Sequence, residues 1–299
     1  MSKKSSLFGD APGKVRRVVT IGQAAALTGV PEHTLRAWER RYGILQPTRT
    51  SSGYRVYGEE ALRRIEAMRD LVAEGVPARE ASERVRDLAV GSPSDVEATD
   101  RLIEALTRLD ATEVARIVNR QFAERSYEDA VDDWLMPAMV RVGASWASGE
   151  INEAGEHLVA NVVMRRLSAA FDAVGANPAV PPVIIGAAPG VTHEVGLLAF
   201  AVALRRTGLA TVYLGADVPA GAWAEAVTAT GAVMSVTTIP RRADLRRVAT
   251  LVERLRASHP DVPVAVGGRF QHLAPPECVR LGHLVGPAAR EIAERVRQQ

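Results

Sequence analysis

Cysteine is almost missing from this chain: Cys278 is the one thiol among 299 residues. A single thiol excludes an intramolecular disulfide framework and any zinc site built from several cysteines. Long apolar runs are missing too. The most apolar stretch, about residues 183–204, is broken by His193 and Glu194. It reads as a strand, a loop and a helix rather than a membrane span of ~20 residues. The opening segment MSKKSSLFGD is polar and lacks the apolar core of a signal peptide. These absences lead to the expectation of a soluble, cytoplasmic protein with no membrane partner. No Ser/His/Asp spacing and no carboxylate pair falls in the expected cleft, so no enzymatic activity and no catalytic residue is expected. There is no internal repeat, and no low-complexity segment beyond the linkers.

What is present is the composition of a globular protein. Hydrophobic residues make up 47% and charged residues 24%, enough for two or three domains with sizeable cores. The net charge is +2 but is unevenly spread. Residues 1–90 hold 16 Lys+Arg against 11 Asp+Glu, and the remainder 21 against 24. A basic front end on a slightly acidic body points to nucleic-acid contact by the N-terminal part alone.

The elements follow from caps and periodicity. Residues 1–17 read as a flexible, basic tail. Thr20 caps a short helix that Gly29 ends. Pro31 opens a second helix in which Leu35, Trp38 and Tyr42 share one face, with Arg36, Arg40 and Arg41 off it. QPTRTSSGYRVYG reads as a β-hairpin, and helices are expected over 58–72 and 77–88. AVGSPSD, residues 89–95, reads as a linker, with a possible capping box of Ser94 and Glu97. Helices over about 95–108, 111–125, 127–145 and 153–174, joined by short turns, predict an antiparallel bundle. AVGANPAVPP, residues 173–182, is a second linker. From residue 183 strands alternate with helices: VIIGAA, TVYLGAD, AVMSVTT, VPVAVGG and a short fifth strand, HLVG, with a last helix over 287–298. That alternation predicts a doubly wound parallel sheet. The fold class is multidomain α plus α/β. The divisions are a tail over 1–17, a DNA-binding module over 18–90, a helical cap over 94–175 and an α/β domain over 181–299.

TIGQAAALTGVPEHTLRAWERRYGILQPTRTSSGYRVY resembles the winged helix-turn-helix of MerR-type transcription regulators, over about residues 18–88. An arginine-bearing helix can enter the major groove of double-stranded DNA, where Arg bidentate to guanine is the commonest base contact. Arg36 and Arg40 are the candidates there, with His33 and Thr34 near the start of that helix. Arg49, Ser52, Tyr54 and Arg55 belong to the wing and would mostly hold phosphates. The alternative is that these arginines form ordinary surface pairs with Glu32 and Glu39. No long helix that could serve for dimerisation follows residue 88.

A doubly wound sheet binds ligands beyond the carboxyl ends of its strands. GVTHEVG, residues 190–196, lies in the first such loop, SVTT ends the third strand, and Gly267 and Gly268 end the fourth. This set resembles the cobalamin-binding domain of methionine synthase and its relatives, whose pattern is Asp-x-His-x-x-Gly, then Ser-x-Leu, then Gly-Gly. The resemblance implies His193 as lower axial cobalt ligand, Gly196 in its loop, Ser235 and Thr237 by the nucleotide tail, and Gly267 and Gly268 along it. A neutral imidazole suits cobalt. Val191 stands where the family has an acid that bonds the ligand histidine, and Thr237 where Leu is usual. Read alone, His193 is more readily a histidine that caps its loop.

WASGEINEAGEH, residues 146–157, resembles the Trp-x9-Glu-His signature of the helical cap in MerR-type, cobalamin-dependent light sensors of the CarH and LitR kind. The resemblance spans about residues 18–295. It implies that Trp146 covers the upper face of the cofactor and that Glu156 and His157 face the corrin or its adenosyl group. The bland alternative is that Trp146 fills the bundle core and Glu156–His157 is a surface pair. Ala147 stands where the photoreceptors carry a second histidine. The function so implied is a transcription regulator, a repressor, that senses adenosylcobalamin and light. The bound cofactor would assemble a homo-oligomer, dimer or tetramer, on repeated operator sites, and light would release it. Two other readings stand beside it: a regulator with another corrinoid, another tetrapyrrole or no cofactor, and a corrinoid carrier for methyl transfer.

Overall fold

The computed structural model describes residues 19–45, 47–49, 55–73, 75–87, 92–175 and 181–298. The tail and parts of both linkers, with Ser52 and Tyr54, lie outside them. The chain divides into two compact units, Met1–Asp87 and Leu88–Gln299. Among the described residues no helix is long and apolar enough to cross a membrane.

The first unit begins with α1 (Ile21–Thr28) and α2 (Glu32–Tyr42). Thr20 and Gln23 cap α1 reciprocally, and Gly29 ends it at φ +70°, a conformation glycine adopts without penalty. Strands β1 (Thr48–Arg49) and β2 (Arg55–Val56) pair antiparallel as the wing. Val19 and Tyr57 exchange two backbone hydrogen bonds, at 2.9 and 2.8 Å, and so close the hairpin against the start of the fold. Helices α3 (Glu59–Ala73) and α4 (Ala78–Asp87) complete the unit. Leu35, Trp38, Ile44, Tyr57, Ile65 and Met68 form its core.

The second unit joins a helical bundle to a sheet. The bundle holds α5 (Pro93–Thr107), α6 (Ala111–Ala123), α7 (Tyr127–Asp129), a π segment (Ala130–Leu135), α8 (Met136–Ala147) and α9 (Glu153–Ala173). Helix α5 starts earlier than expected. Its capping box is Ser92 with Asp95, not Ser94 with Glu97, because Pro93 fits the first helical position and fixes the start there. The helix expected over 127–145 is interrupted. Pro137 has no N–H to donate and its ring crowds the preceding turn, and the widened π turn just before it absorbs that clash. Trp134, 1% exposed, fills the bundle core.

The sheet has β3 (Val183–Gly186), β4 (Thr211–Gly215), β5 (Met234–Thr238), β6 (Val264–Gly267) and β7 (Val279–Arg280). All pairs are parallel, in the order β4-β3-β5-β6-β7. This doubly wound order has its switch point between β3 and β5. The fifth strand is Val279–Arg280 rather than HLVG. Val285 and Gly286 instead open the last helix, because their N–H groups find a carboxylate there. Helices α10 (Val195–Arg206) and α13 (Val285–Arg297) pack together, as do α11 (Ala220–Thr230) and α12 (Leu245–Ser258).

The bundle is bolted to the sheet layer. Asp132, in the π segment, accepts from the N–H groups of Val285 (2.6 Å) and Gly286 (2.9 Å), and so caps α13 from 153 residues away. Burial pushes the Asp132 carboxyl above its usual range, against the opposing pull of those two N–H donors. The Tyr127 hydroxyl donates to the Ala199 carbonyl (3.1 Å), and Arg206 pairs with Glu128 (2.8 Å). Asp132→Ala removes the cap and leaves two N–H groups unmet. Thermal unfolding followed by circular dichroism is expected to show a loss of about 1–2 kcal/mol; an unchanged melting temperature would mean that α13 is capped by other means.

Candidate functional site

In the first unit, His33, Arg36 and Arg40 fall at i, i+3 and i+7 of α2 and are all exposed, with Thr34 half-buried beside them. Arg36 pairs with Glu32 at 3.5 Å, both groups about half exposed. Such a pair contributes little and is readily given up. Arg40 makes no ion pair among the described residues. Arg55 pairs with Glu39 at 3.3 Å, and the same carboxylate accepts from the Tyr57 hydroxyl at 3.0 Å. Burial, with Glu39 as acceptor, pushes the Tyr57 hydroxyl up to about 12. The expected surface pairs therefore exist for Arg36 and Arg55 but not for Arg40. Of Arg49 only the backbone is described.

In the second unit the carboxyl edge of the sheet gathers the cofactor candidates. His193 is exposed on the loop between β3 and α10 and makes no hydrogen bond among the described residues. It therefore does not cap its loop. Val191 is fully buried and offers the imidazole no acceptor. Gly196, in the first turn of α10, lies under the bundle: a Cβ there would sit 3.6 Å from Cε of Met136.

Ser235 is the second residue of β5 rather than its end. It lies three residues below the edge, roughly 10 Å down at the rise of a strand. Its Oγ and the Oγ1 of Thr237 share one face of the strand. Both are buried and lack a hydrogen-bond partner among the described residues. So does Nε1 of Trp223, whose ring closes on Gly186 of the neighbouring strand. Buried polar atoms are normally satisfied, so the two β5 hydroxyls are exceptions that a polar group from outside the chain would relieve. Gly267 ends β6, and Gly268 follows at φ +89°. A Cβ at Gly268 would lie 2.7 Å from the Ile239 carbonyl oxygen, so glycine there lets the loops after β5 and β6 touch. The edge is also basic: Arg241 and Arg247 flank the buried Asp244 at 3.0 and 3.2 Å.

The cap residues sit on two helices joined by a braced turn. The Ser145 hydroxyl donates to Glu150 (2.7 Å), which also pairs with Arg141 (2.9 Å), and Asn152 caps α9 through the Gly155 N–H (2.9 Å). This places Trp146 in the last turn of α8 and Glu156 and His157 in the first turns of α9. Trp146 is 53% exposed and does not fill the bundle core. With Val140, 63% exposed, and Met139 and Gly143 it makes an open apolar helix face. Glu156 and His157 form a surface pair, with Nδ1 to Oε2 at 2.6 Å. Helix α9 lies along α10, and their C-terminal ends meet where the Arg205 guanidinium covers the Phe171 ring at 3.4 Å. From that junction His157 is 14 residues back and Val195 only 10, so His157 stands roughly 6 Å past the start of α10.

Residue spacing does not reveal the residues that brace the His193 loop. The Tyr213 hydroxyl donates to Oε2 of Glu194 at 2.7 Å, and burial holds that hydroxyl far above its usual pKa. Asp217 accepts from the Gly190 N–H at 2.5 Å. No periodicity marks these positions; the positive φ of Asp217 (+52°) becomes visible only in the fold.

Among the described residues no group of three or more His, Cys, Asp and Glu could hold a metal ion. A lone unpaired imidazole can still ligate a metal that arrives inside a macrocycle. Residues 19–88 match the MerR HTH family regulatory protein family, and residues 98–170 and 181–296 match B12 binding domains. The chain is 32% identical over 250 residues to the HTH-type transcriptional repressor CarA of Myxococcus xanthus, covering 82% of this chain and 84% of that protein. It is 31% identical over 280 residues to the repressor CarH of the same organism, covering 89% and 93%.

The chain belongs to this family of MerR-type transcriptional repressors with B12-binding domains. It is a DNA-binding transcription regulator rather than an enzyme, and its cofactor class is a corrinoid. The bundle and sheet share their fold with the monomethylamine corrinoid protein of Methanosarcina barkeri, at a TM-score of 0.55 and 18% identity over 67% of this chain and 99% of that one. The unmet hydroxyls and the free imidazole fit the group that the family implies. For the cofactor-free protein, Ser235→Ala is expected to raise stability to urea by about 1 kcal/mol, because it deletes a buried hydroxyl with no partner. A lower urea midpoint would show that the hydroxyl is already satisfied.

Proposed function

We propose that this regulator is a cytoplasmic repressor that senses adenosylcobalamin and light. The observation that carries the reading is His193, an exposed imidazole with no hydrogen-bond partner among the described residues, beside the switch point of the sheet. His193 would ligate cobalt from below. Ser235 and Thr237 would meet the nucleotide tail, with Gly196, Gly267 and Gly268 giving the loops their close approach. Trp146, Glu156 and His157 would face the upper side from the cap. When bound, the cofactor would supply a cobalt–carbon bond that light can cleave.

The division of labour is a helix-turn-helix over residues 18–90, a cap over 94–175 and an α/β domain over 181–299. Cofactor-dependent assembly of a homo-oligomer would bring several helix-turn-helix modules onto one operator, and avidity would make the response steep. On the DNA, Arg40 and Arg36 would read bases, with His33 and Thr34 at the start of α2. Arg49, Ser52, Tyr54 and Arg55 would hold phosphates. A second reading is favoured by Ala147, which cannot ligate cobalt: a cobalamin sensor that ignores light.

Purified protein mixed with adenosylcobalamin in the dark is expected to show a histidine-bound spectrum that His193→Ala abolishes, with an increased gel-filtration mass. Green light should reverse that mass change. Binding with no effect of light would establish the second reading, and no binding would sink both. Separately, Arg40→Ala is expected to weaken operator binding roughly tenfold or more while leaving the melting temperature unchanged. Equal affinity in a mobility-shift titration would remove Arg40 from the interface.

A further inference from the structure

We propose that Tyr213 and Asp217 are positioning residues for His193, acting from the edge strand β4 and the turn after it in place of the acid that Val191 does not provide. This rests on the reading of His193 as the cobalt ligand.

The loop that carries His193 is held at both ends by β4 and the turn that follows it. At its start the Gly190 N–H donates to Asp217 Oδ1 (2.5 Å), the Asp217 N–H donates to the Val191 carbonyl (2.9 Å), and the Val218 N–H donates to the Ala187 carbonyl (3.0 Å). Asp217 adopts φ +52°, a conformation that Asp tolerates better than most residues. At its end the Tyr213 hydroxyl holds Glu194 (2.7 Å). Between the two clamps only Thr192 and His193 are left unbraced. The imidazole therefore rides on a two-residue arch whose feet are fixed by β4 and the turn that follows it.

That strand is shaped for the task. Ile185 pairs with Tyr213, but Gly186 pairs with Gly215, so β4 carries one extra residue, Leu214, at its end. Gly215 accommodates the bulge at φ +86°. Such a bulge re-aims the side chains around it. Tyr213 is backed by the Phe171 ring of α9, at 6.1 Å between centroids. The clamp on the ligand loop is thus seated against the cap helix itself.

Three full-length variants test this. Tyr213→Phe removes one clamp while keeping the ring. Asp217→Ala removes the side-chain acceptor of the other while leaving its backbone bonds, and Asp217→Asn keeps an acceptor. The first readout is hydrogen–deuterium exchange of the loop around residues 188–196 without cofactor; the second is the visible spectrum on titration with adenosylcobalamin in the dark. Tyr213→Phe and Asp217→Ala should exchange the loop about tenfold faster and bind cobalamin at least fivefold more weakly, with a smaller histidine-bound fraction. Asp217→Asn should stay near the wild type. Faster exchange with an unchanged spectrum and affinity would overturn the proposal, leaving the clamps as loop braces with no part in ligation. Unchanged exchange would overturn it outright. A wild type with no histidine-bound spectrum would overturn the ligand reading and this proposal with it, and the exchange data would then still decide whether the clamps hold the loop.

Discussion

One guanidinium sets the geometry of the cofactor-binding half. Arg205, in the last turn of α10, covers the Phe171 ring of α9 and donates to the Phe171 carbonyl (2.9 Å). The same group donates to the Thr211 side chain (3.1 Å) and carbonyl (3.0 Å), where β4 begins. A planar fork with five fixed donors can hold three chain segments at once. By fixing the lower end of α9 against the sheet layer, it decides how far the upper end reaches. The excess length of α9 over α10 then has one place to go, beyond the carboxyl edge where His193 waits. Asp132 and Tyr127 repeat the attachment elsewhere along the bundle. Cap and sheet therefore behave as one compact body, and a ligand between them would meet surfaces whose separation is already set.

Much of this was legible in the residues. The Thr20 cap, the Gly29 stop and the 3.6-residue spacing of Leu35 and Trp38 mark α1 and α2 unambiguously, because caps and apolar stripes are local signals. The alternation of strands and helices after residue 183 gave the parallel sheet for the same reason. What was not legible depends on distant partners. Nothing local says that Val285 and Gly286 will be helical; their N–H groups are satisfied by Asp132, in another layer. The short fifth strand was misplaced for that reason. Pro137 carried a usable warning, since proline inside a helical pattern forces a break or a widened turn, and the expectation of an unbroken helix there passed over it.

The site divides in the same way. His193 and the Trp146 to His157 spacing stand out in the sequence because unusual residues sit at unusual places. Their supporting partners do not. Tyr213 looks like any strand aromatic, and Asp217 like any turn residue, until the register of β4 is known. On the DNA side the sequence could not say which arginines are engaged. The fold separates them: Glu39 is shared by Arg55 and Tyr57, whereas Arg40, on the outer face of α2, makes no ion pair among the described residues.

The π segment sets the phase of every residue after it. An α-helix turns about 100° per residue, so each residue added to or removed from Ala130–Leu135 rotates everything after it by that angle. Val140, Gly143 and Trp146 look outward only because the widened turn delivers α8 at its present angle. A chain of equal composition one residue shorter here would aim the tryptophan elsewhere and bring a different stripe to the surface. The direction in which Trp146 points is thus settled more than ten residues upstream, in the turn that loosened ahead of Pro137.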